Sequence, residues 1–333
     1  MTSNNSTKKP LVSIVVLAYN EEGSLPEAFT RLNNVMETLP LYNFEVLLID
    51  NYSEDRTSDL GKEYTEEDDR WRYIRFSRNF GAEASVAAGL HYSKGDALIY
   101  LPADMQEPPE AIPVMLEKWC LGYDVVYGEI VKRSDASVLK TVGAKIAYKM
   151  IYLLSDIKIP PNATDFRLIA RPVIEALKRC DERNRYLRGL VYWSGFRQCS
   201  FPYEREPRKR GESDAGLIFC LYYAMNALVA FSTKPLQLAS IFGMVTTFAS
   251  ALGALVYVLL YLLVSNGLIS FTPPPPGWTT MFLGIMFFGG LQSLFIGILG
   301  QYLSNTYTEV KKRPLWVLYQ TFGFSEEQDP MNS

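Results

Sequence analysis

The chain has 333 residues, 48% of them hydrophobic and 21% charged, with 19 Pro and 22 Gly, which excludes a collagenous, low-complexity or disordered protein and leaves room for more than one domain. A formal net charge of −3 argues against a nucleic-acid partner, which would call for a strongly basic face. Charge is nonetheless unevenly spread: residues 235–308 contain no Asp, Glu, Lys or Arg, a gap that ordinary soluble folds do not carry.

Residues 1–10 form a polar tail. The apolar run Leu11–Ala18 that follows is short and ends in Tyr19-Asn20-Glu21-Glu22, so it reads as a buried strand rather than a signal-peptide core. From residue 11 to about 130, strands alternate with helical patterns. LVSIVVL precedes a helix from about Ser24 to Met36, and FEVLLI (44–49) one near Asp55–Tyr64. YIRF precedes Ala82–Tyr92, DALIYL (96–101) precedes Pro109–Leu121, and YDVVYG closes the series. This alternation predicts an α/β domain with a mostly parallel sheet covered on both faces, and ligands beyond the carboxyl ends of its strands.

Polar clusters stand at those ends: Tyr19-Asn20-Glu21, Asp50-Asn51, Ser77-Arg78-Asn79-Phe80-Gly81 and Ala103-Asp104-Met105-Gln106. Any one of them serves equally well as a cap or turn, but four on one sheet edge point to a site. No G-x-G-x-x-G follows the first strand and no G-x-x-x-x-G-K-[ST] is present, which argues against a dinucleotide oxidoreductase and a P-loop kinase. Asp104 and Gln106, two apart on a loop, project oxygens to one side and suit Mg²⁺ or Mn²⁺; capping the helix after Pro108-Pro109 is the competing role for Asp104. The four cysteines, Cys120, Cys180, Cys199 and Cys220, lack C-x-x-C spacing and read as reduced thiols facing the cytoplasm. His91, on an apolar helix pattern, reads as structural.

Residues 213–233 are expected to lie as an amphipathic helix in the headgroup region. Tyr222, Tyr223 and Asn226 would reach water, and Leu217, Phe219, Leu221 and Leu228 the acyl chains; a third membrane span is the rival reading. Residues 235–264 are long and apolar enough to span a bilayer, and so are residues 278–303, whose Gly284, Gly289, Gly290, Gly297 and Gly300 give small-residue faces suited to homo-oligomers, with a tetramer as the suggested number. Between them, residues 265–277 include Pro273–Pro276 and make a stiff extracytoplasmic hairpin. Arg205, Arg208, Lys209, Arg210 and Lys234 precede the spans, Lys311, Lys312 and Arg313 follow them, and the hairpin carries no positive charge. The positive-inside rule then puts both ends, including the tail 304–333, in the cytoplasm of a multi-pass inner (plasma) membrane protein.

The segments VSIVVLAYNEEGSL, FEVLLIDNYSEDRT, SRNFGAEASVAAGL, GDALIYLPADMQEPPE and TDFRLIARPV, the R-x-x-G-x-S of Arg208–Ser213, and FSTKPL before the first span make an ordered set covering nearly the whole chain. In it the chain resembles the inverting GT-A glycosyltransferases of family 2, within them the polyisoprenyl-phosphate group of bactoprenol glucosyltransferases and dolichol-phosphate mannose synthases. The resemblance implies a Rossmann-like GT-A domain over 11–212. It implies nucleotide binding by Tyr19, Asn20, Glu21, Asp50, Arg78 and Asn79, and metal binding by Asp104 and Gln106. Asp165 and Arg167 match the acceptor loop; Asp104, Asp165 and Arg208 are the implied catalytic residues, and Arg167, Arg208 and Ser213 the implied holders of the acceptor phosphate. The chain departs from the pattern at Pro102, where D-x-D-x-Q has its first Asp, at Leu17, where Pro is usual, at Asn51 and Tyr52, where Asp and Gly are common, and at Ala215, where an aromatic residue is common.

The reaction so implied moves a hexose, glucose from UDP-glucose, onto undecaprenyl phosphate at the cytoplasmic face, for a flippase to carry onward to surface-polysaccharide modification. GDP-mannose is the alternative donor, and a non-catalytic nucleotide sensor the rival class. A lipid phosphate has its second pKa near about 6 and is already a nucleophilic dianion at neutral pH, so no strong general base is needed. The site must instead hold two mutually repelling phosphates in line, which calls for cations and positioning. Arg208, within the basic run Arg205–Arg210 and just before the interfacial segment, suits that task.

Overall fold

The computed structural model describes residues 9–131, 160, 163–183, 185–206, 234–266, 277–325 and 329–332. The expected strand and helix units form in the expected order. They are β1 (Leu11–Ala18), α1 (Leu25–Glu37), β2 (Asn43–Asp50), α2 (Thr57–Glu67), β3 (Trp71–Phe76), α3 (Ala82–Tyr92), β4 (Ala97–Pro102), α4 (Ile112–Cys120) and β5 (Val125–Ile130). The last predicted helix begins as a 3₁₀ turn over Pro109–Ala111, because Pro108 and Pro109 cannot supply the N–H groups of an α-helical turn. After β5 come β6 (Ala163–Ala170), α5 (Arg171–Lys178), α6 (Leu187–Trp193) and β7 (Gln198–Tyr203).

One eight-stranded sheet holds these strands in the order β7-β5-β6-β4-β1-β2-β3-β8, where β8 is Leu318–Phe322. Neighbours among β1 to β4 pair in parallel, whereas β6 runs antiparallel to both β4 and β5, and β8 antiparallel to β3. β1 is central and reads as a continuous apolar run because both of its faces are covered. On one side Val12, Ile14 and Val16 meet Leu25, Ala28 and Leu32 of α1. On the other, Val15, Leu47 and Ile49 meet Ala84 and Ala88 of α3. Each such fully buried Leu, Ile or Val stabilises the fold by about 1.5–3 kcal/mol. Gly89 lets α3 lie close on β1, since a Cβ there would stand 2.3 Å from Val15 Cγ1.

Two long helices follow, α7 (Lys234–Ser265) and α8 (Trp278–Lys311), of 32 and 34 residues. At about 1.5 Å per residue each exceeds the roughly 30 Å hydrocarbon layer. Among the described residues, Gly284–Lys311 is the one helical stretch long and apolar enough, by length and composition, to cross a membrane, and none of its apolar window is buried. The helices meet at Phe242 and Phe295, rings edge to face at 5.8 Å. α8 runs eight residues past the expected end at 303, and its Glu309 carboxylate accepts the Arg183 backbone N–H at 2.8 and 3.0 Å, tying the helix to the α/β domain. The chain then returns as β8, so the tail is in part an edge strand of the main sheet. The segment 213–233 and most of the hairpin between the long helices lie outside the described residues.

Candidate active site

A cavity of about 590 Å³ opens at the carboxyl ends of β1 and β4, where Leu17, Ala18, Pro102 and Ala103 form part of its wall. Because β6 is antiparallel to β4, with Ile99 opposite Leu168, the beginning of β6 reaches the same edge and brings Asp165 and Arg167 into the cavity. Tyr19, Glu21, Asn79 and Asp104 also line it. All four post-strand polar clusters read from the sequence thus contribute to one opening, joined by Asp165 and Arg167 from the start of β6.

The loops after β1, β2 and β3 are joined by a lattice of hydrogen bonds. Asn20, at φ 55°, accepts the Glu54 N–H at its side-chain oxygen (2.8 Å), and its own N–H donates to Ser53 Oγ (2.9 Å). The Glu21 N–H donates to Thr57 Oγ1 at 2.9 Å, and Ser24 Oγ donates to the Glu21 carboxylate. Asn51 lines the cavity, donates to Asn79 Oδ1 at 3.0 Å and accepts the Phe80 N–H at 2.9 Å, locking the loops after β2 and β3 together. Arg78 instead lies over the Phe80 ring, 4.0 Å from its centroid, and does not line the cavity.

Asp50 is fully buried and its oxygens are engaged from within the protein. Oδ1 accepts the Ser53 N–H at 2.7 Å, Oδ2 accepts the Tyr73 hydroxyl at 2.6 Å, and Arg75 Nε stands 3.7 Å away. The geometry fits a residue that holds the Asn51–Ser53 turn in place. Tyr52, in that turn, has φ 70°, the left-handed backbone for which glycine is favoured. Its ring lies over the Arg75 guanidinium at 5.5 Å, an attraction that offsets some of the strain.

At the start of β6, Asp165 receives Arg188 Nε at 3.0 Å and Arg167 Nη2 at 3.2 Å. Protein crowded around Asp165 opposes its ionisation although the side chain itself is exposed, but Arg188, with Arg167 and Arg205 behind it, prevails and holds the carboxyl below its ordinary range. Arg167 is 1% exposed, and its Nη2 also donates to the Thr164 carbonyl at 2.7 Å. Its Nε and Nη1 are buried without a hydrogen-bond partner. Glu107, buried beside the Asp104 loop, pairs with Arg205 at 3.3 Å. Burial pushes its carboxyl up to about 7 against the pull of Arg205, and Asp104 and Asp165 push the same way. The Gln106 carbonyl accepts the Glu206 N–H at 2.9 Å, so the loop carrying Asp104 is stitched to the strand exit that leads toward Arg208. Arg208 and Ser213 themselves lie outside the described residues.

Residues 13–178 match the family described as Glycosyl transferase family 2. The chain is 37% identical over 318 residues to the "Uncharacterized glycosyltransferase YkcC" of Bacillus subtilis (strain 168), covering 95% of each chain. The chain is a family 2 glycosyltransferase. Further relatives of this glycosyltransferase carry more specific names. The "Prophage bactoprenol glucosyl transferase homolog" of Escherichia coli (strain K12) is 33% identical over 310 residues, 92% of this chain and 98% of that one. The "Bactoprenol glucosyl transferase" of Shigella phage SfII is 33% identical over 310 residues, 92% of this chain and 97% of the relative. The α/β domain of the glycosyltransferase has the GT-A architecture.

Among the described residues, no three His, Cys, Asp or Glu side chains converge to cage a metal ion. The donor set fits a divalent ion of another kind. Asp104 faces the cavity, Gln106 is its neighbour on the loop, and the buried Glu107 Oε2 close by has no partner. One or two protein oxygens completed by substrate phosphate oxygens is how Mg²⁺ commonly binds. Arg188 was not legible as a site residue: it sits in an apolar run, YLRGLVYW, and only the placement of α6 against β6 reveals its role. Asn51 was legible only as a departure from a pattern, and the sequence offered no sign that it bridges two loops.

Proposed function

We propose that this glycosyltransferase transfers glucose from UDP-glucose to undecaprenyl phosphate, or a similar polyprenyl phosphate, on the cytoplasmic face of a bacterial inner membrane, with inversion at the anomeric carbon. The observation that carries this reading is the shared cavity: Asp104, fit for a metal-bound diphosphate, and the Asp165–Arg167 pair, fit for an anionic acceptor, open onto the same space. The names of the bactoprenol relatives favour glucose and the lipid carrier. A metal at Asp104 and Gln106 would supply charge neutralisation for the leaving diphosphate. The chain's own residues do the rest. Asn51 and Asn79 fix the loops around the nucleotide; Asp165 and Arg167, with Arg208 and Ser213 from the pre-membrane segment, orient the acceptor phosphate. The phosphate oxygen attacks the anomeric carbon as the bond to the nucleoside diphosphate breaks, and the dianion needs no proton removed.

In this reading α7 and α8 both cross the bilayer and residues 213–233 lie along its surface. The sheet supports it: β7 and β8 belong to one sheet, so the chain between residues 203 and 318 must cross any membrane an even number of times. Two spans satisfy that condition and three do not. The open glycine positions of α8, with no atom within 4 Å of an added Cβ at Gly289 or Gly297, leave faces on which copies of the chain can pack, and a tetramer is the proposed assembly. A flippase would consume the product.

Incubating the purified protein in lipid with radiolabelled UDP-glucose or GDP-mannose, a polyprenyl phosphate and Mg²⁺ or Mn²⁺ tests the proposal. Label enters the organic phase from UDP-glucose, and Asp104→Asn lowers the rate by on the order of 10²-fold by removing electrostatic stabilisation. Transfer from GDP-mannose alone overturns the donor assignment. No lipid-linked label from either donor overturns the function.

A further inference from the structure

Resting on that reading, we infer that Ser85 reads one hydroxyl of the transferred sugar, while Leu17, Val86, Tyr100 and Pro102 form the apolar wall on which the C–H face of the sugar ring rests. Three observations carry it. The first is an unmet hydrogen bond. Ser85 is 2% exposed and lines the cavity, yet its Oγ has no hydrogen-bond partner. A buried hydroxyl left unpaired is costly, and the arrangement is explained where a ligand supplies the partner. Two other polar side chains of this wall are already engaged. Tyr100 donates its hydroxyl to the Val86 carbonyl at 2.9 Å, and the Glu83 carboxylate accepts the Leu187 N–H at 3.1 Å.

The second observation is sheet register. Leu17 and Pro102 are partners in the β1–β4 pairing, and both line the cavity. They are also two of the positions where the chain departs from the family pattern, which has Pro and Asp there. The departures therefore stand side by side, and one of them exchanges a carboxylate for apolar surface two residues before Asp104. Tyr100, two residues before Pro102 on β4, presents to the same face of the sheet. A pyranose ring carries C–H groups on its faces and hydroxyls around its rim. An apolar wall with a single hydroxyl fits such a ring face-on and reads one position of the rim. The third is place. In the proposed reaction the anomeric carbon lies between the diphosphate at Asp104 and the acceptor phosphate at Arg167, so the sugar fills the part of the cavity those groups leave open. Ser85 and its apolar neighbours line that same cavity.

The test uses full-length protein in lipid nanodiscs with Mg²⁺, as wild type and as Ser85→Ala. Alanine removes only the hydroxyl and is the strongest helix former, so the fold of α3 is kept, and thermal unfolding checks this. Affinities are measured without acceptor for UDP, UDP-glucose and UDP-glucose analogues lacking the 2-, 3-, 4- or 6-hydroxyl. With polyprenyl phosphate present, kcat/KM is measured for the same donors. In the wild type, one deoxy donor binds and reacts more weakly than UDP-glucose by about 10-fold or more, because its missing hydroxyl leaves Ser85 unpaired. Ser85→Ala loses a similar factor on UDP-glucose, nothing further on that deoxy donor, and nothing on UDP. Deoxy profiles that are the same in Ser85→Ala and wild type overturn the assignment. Weaker UDP binding in Ser85→Ala, with sugar discrimination intact, overturns it as well and places the hydroxyl on the diphosphate. Wild-type protein that transfers no sugar to any lipid phosphate is a different failure, of the proposed function, and the acceptor-free affinities still decide for or against Ser85.

Discussion

Asp50 illustrates what a residue identity conveys and what it conceals. Its place after the second strand was legible, because a short polar break follows the apolar run FEVLLI. Its burial was not, since that depends on Tyr73, 23 residues later, donating a hydroxyl to it across the β2–β3 pairing. Burial and the neighbouring Asp50 raise the Tyr73 pKa far above that of free tyrosine, so the hydroxyl stays protonated and donating at every working pH. Tyr73→Phe leaves the buried carboxylate one donor short, at a cost of about 1–3 kcal/mol. The expected result is a higher KM for the sugar nucleotide through a loosened Asn51–Ser53 turn, with acceptor KM and Arg167 chemistry untouched. Equal donor KM in steady-state assays of mutant and wild type would show that the turn holds without this bond. Tyr52 belongs to the same account: the common glycine at its position is explained by the positive φ that the backbone adopts there.

At the scale of elements, β1 to β5 and α1 to α4 were legible because each strand is a dense apolar run bounded by polar loop residues. β8 was not. LYQTF is five residues long, follows a membrane-type helix and the polar break Lys312-Arg313-Pro314, and its partner β3 lies some 240 residues earlier in the chain. What holds it is aromatic packing. Trp316 stacks on Phe76 with centroids 6.4 Å apart and donates its indole N–H to Tyr92 Oη at 3.2 Å, while His91 approaches at 5.8 Å. The Ser77 N–H donates to the Val317 carbonyl at 2.9 Å, so the strand also covers the edge near the Arg78–Asn79 loop. Trp316→Ala removes a partly buried anchor and costs about 2–3 kcal/mol, below the 3–5 of a fully buried aromatic. Chemical denaturation should show a lower midpoint, together with a raised donor KM. An unchanged midpoint would mean that β8 is carried by its backbone pairing alone.

For the whole molecule, the return of the chain to its own sheet constrains topology more firmly than hydropathy does. Charge asymmetry favoured cytoplasmic ends, but the uncharged stretch 215–233 left a third crossing open at the sequence level. β8 closes the same sheet as β7, and a strand cannot hydrogen-bond to a sheet on the far side of a bilayer. Any crossings between them are therefore even in number, and the docking of Glu309 on the Arg183 backbone fixes the exit of α8 beside the α/β domain. Single cysteines in a background with Cys120, Cys180, Cys199 and Cys220 replaced by Ser test this directly. Ser270→Cys, between the two helices, should react with a membrane-impermeant maleimide on right-side-out vesicles. Ser3→Cys and Ser325→Cys should react only after the vesicles are opened. Labelling of Ser325→Cys from outside would mean an odd number of crossings and would be incompatible with β8 in the sheet. With the expected pattern, the cavity edge formed by β1, β4 and β6 is held on the cytoplasmic side by an anchor that both leaves and re-enters the catalytic domain, the arrangement required for a soluble nucleotide sugar and a lipid phosphate to meet.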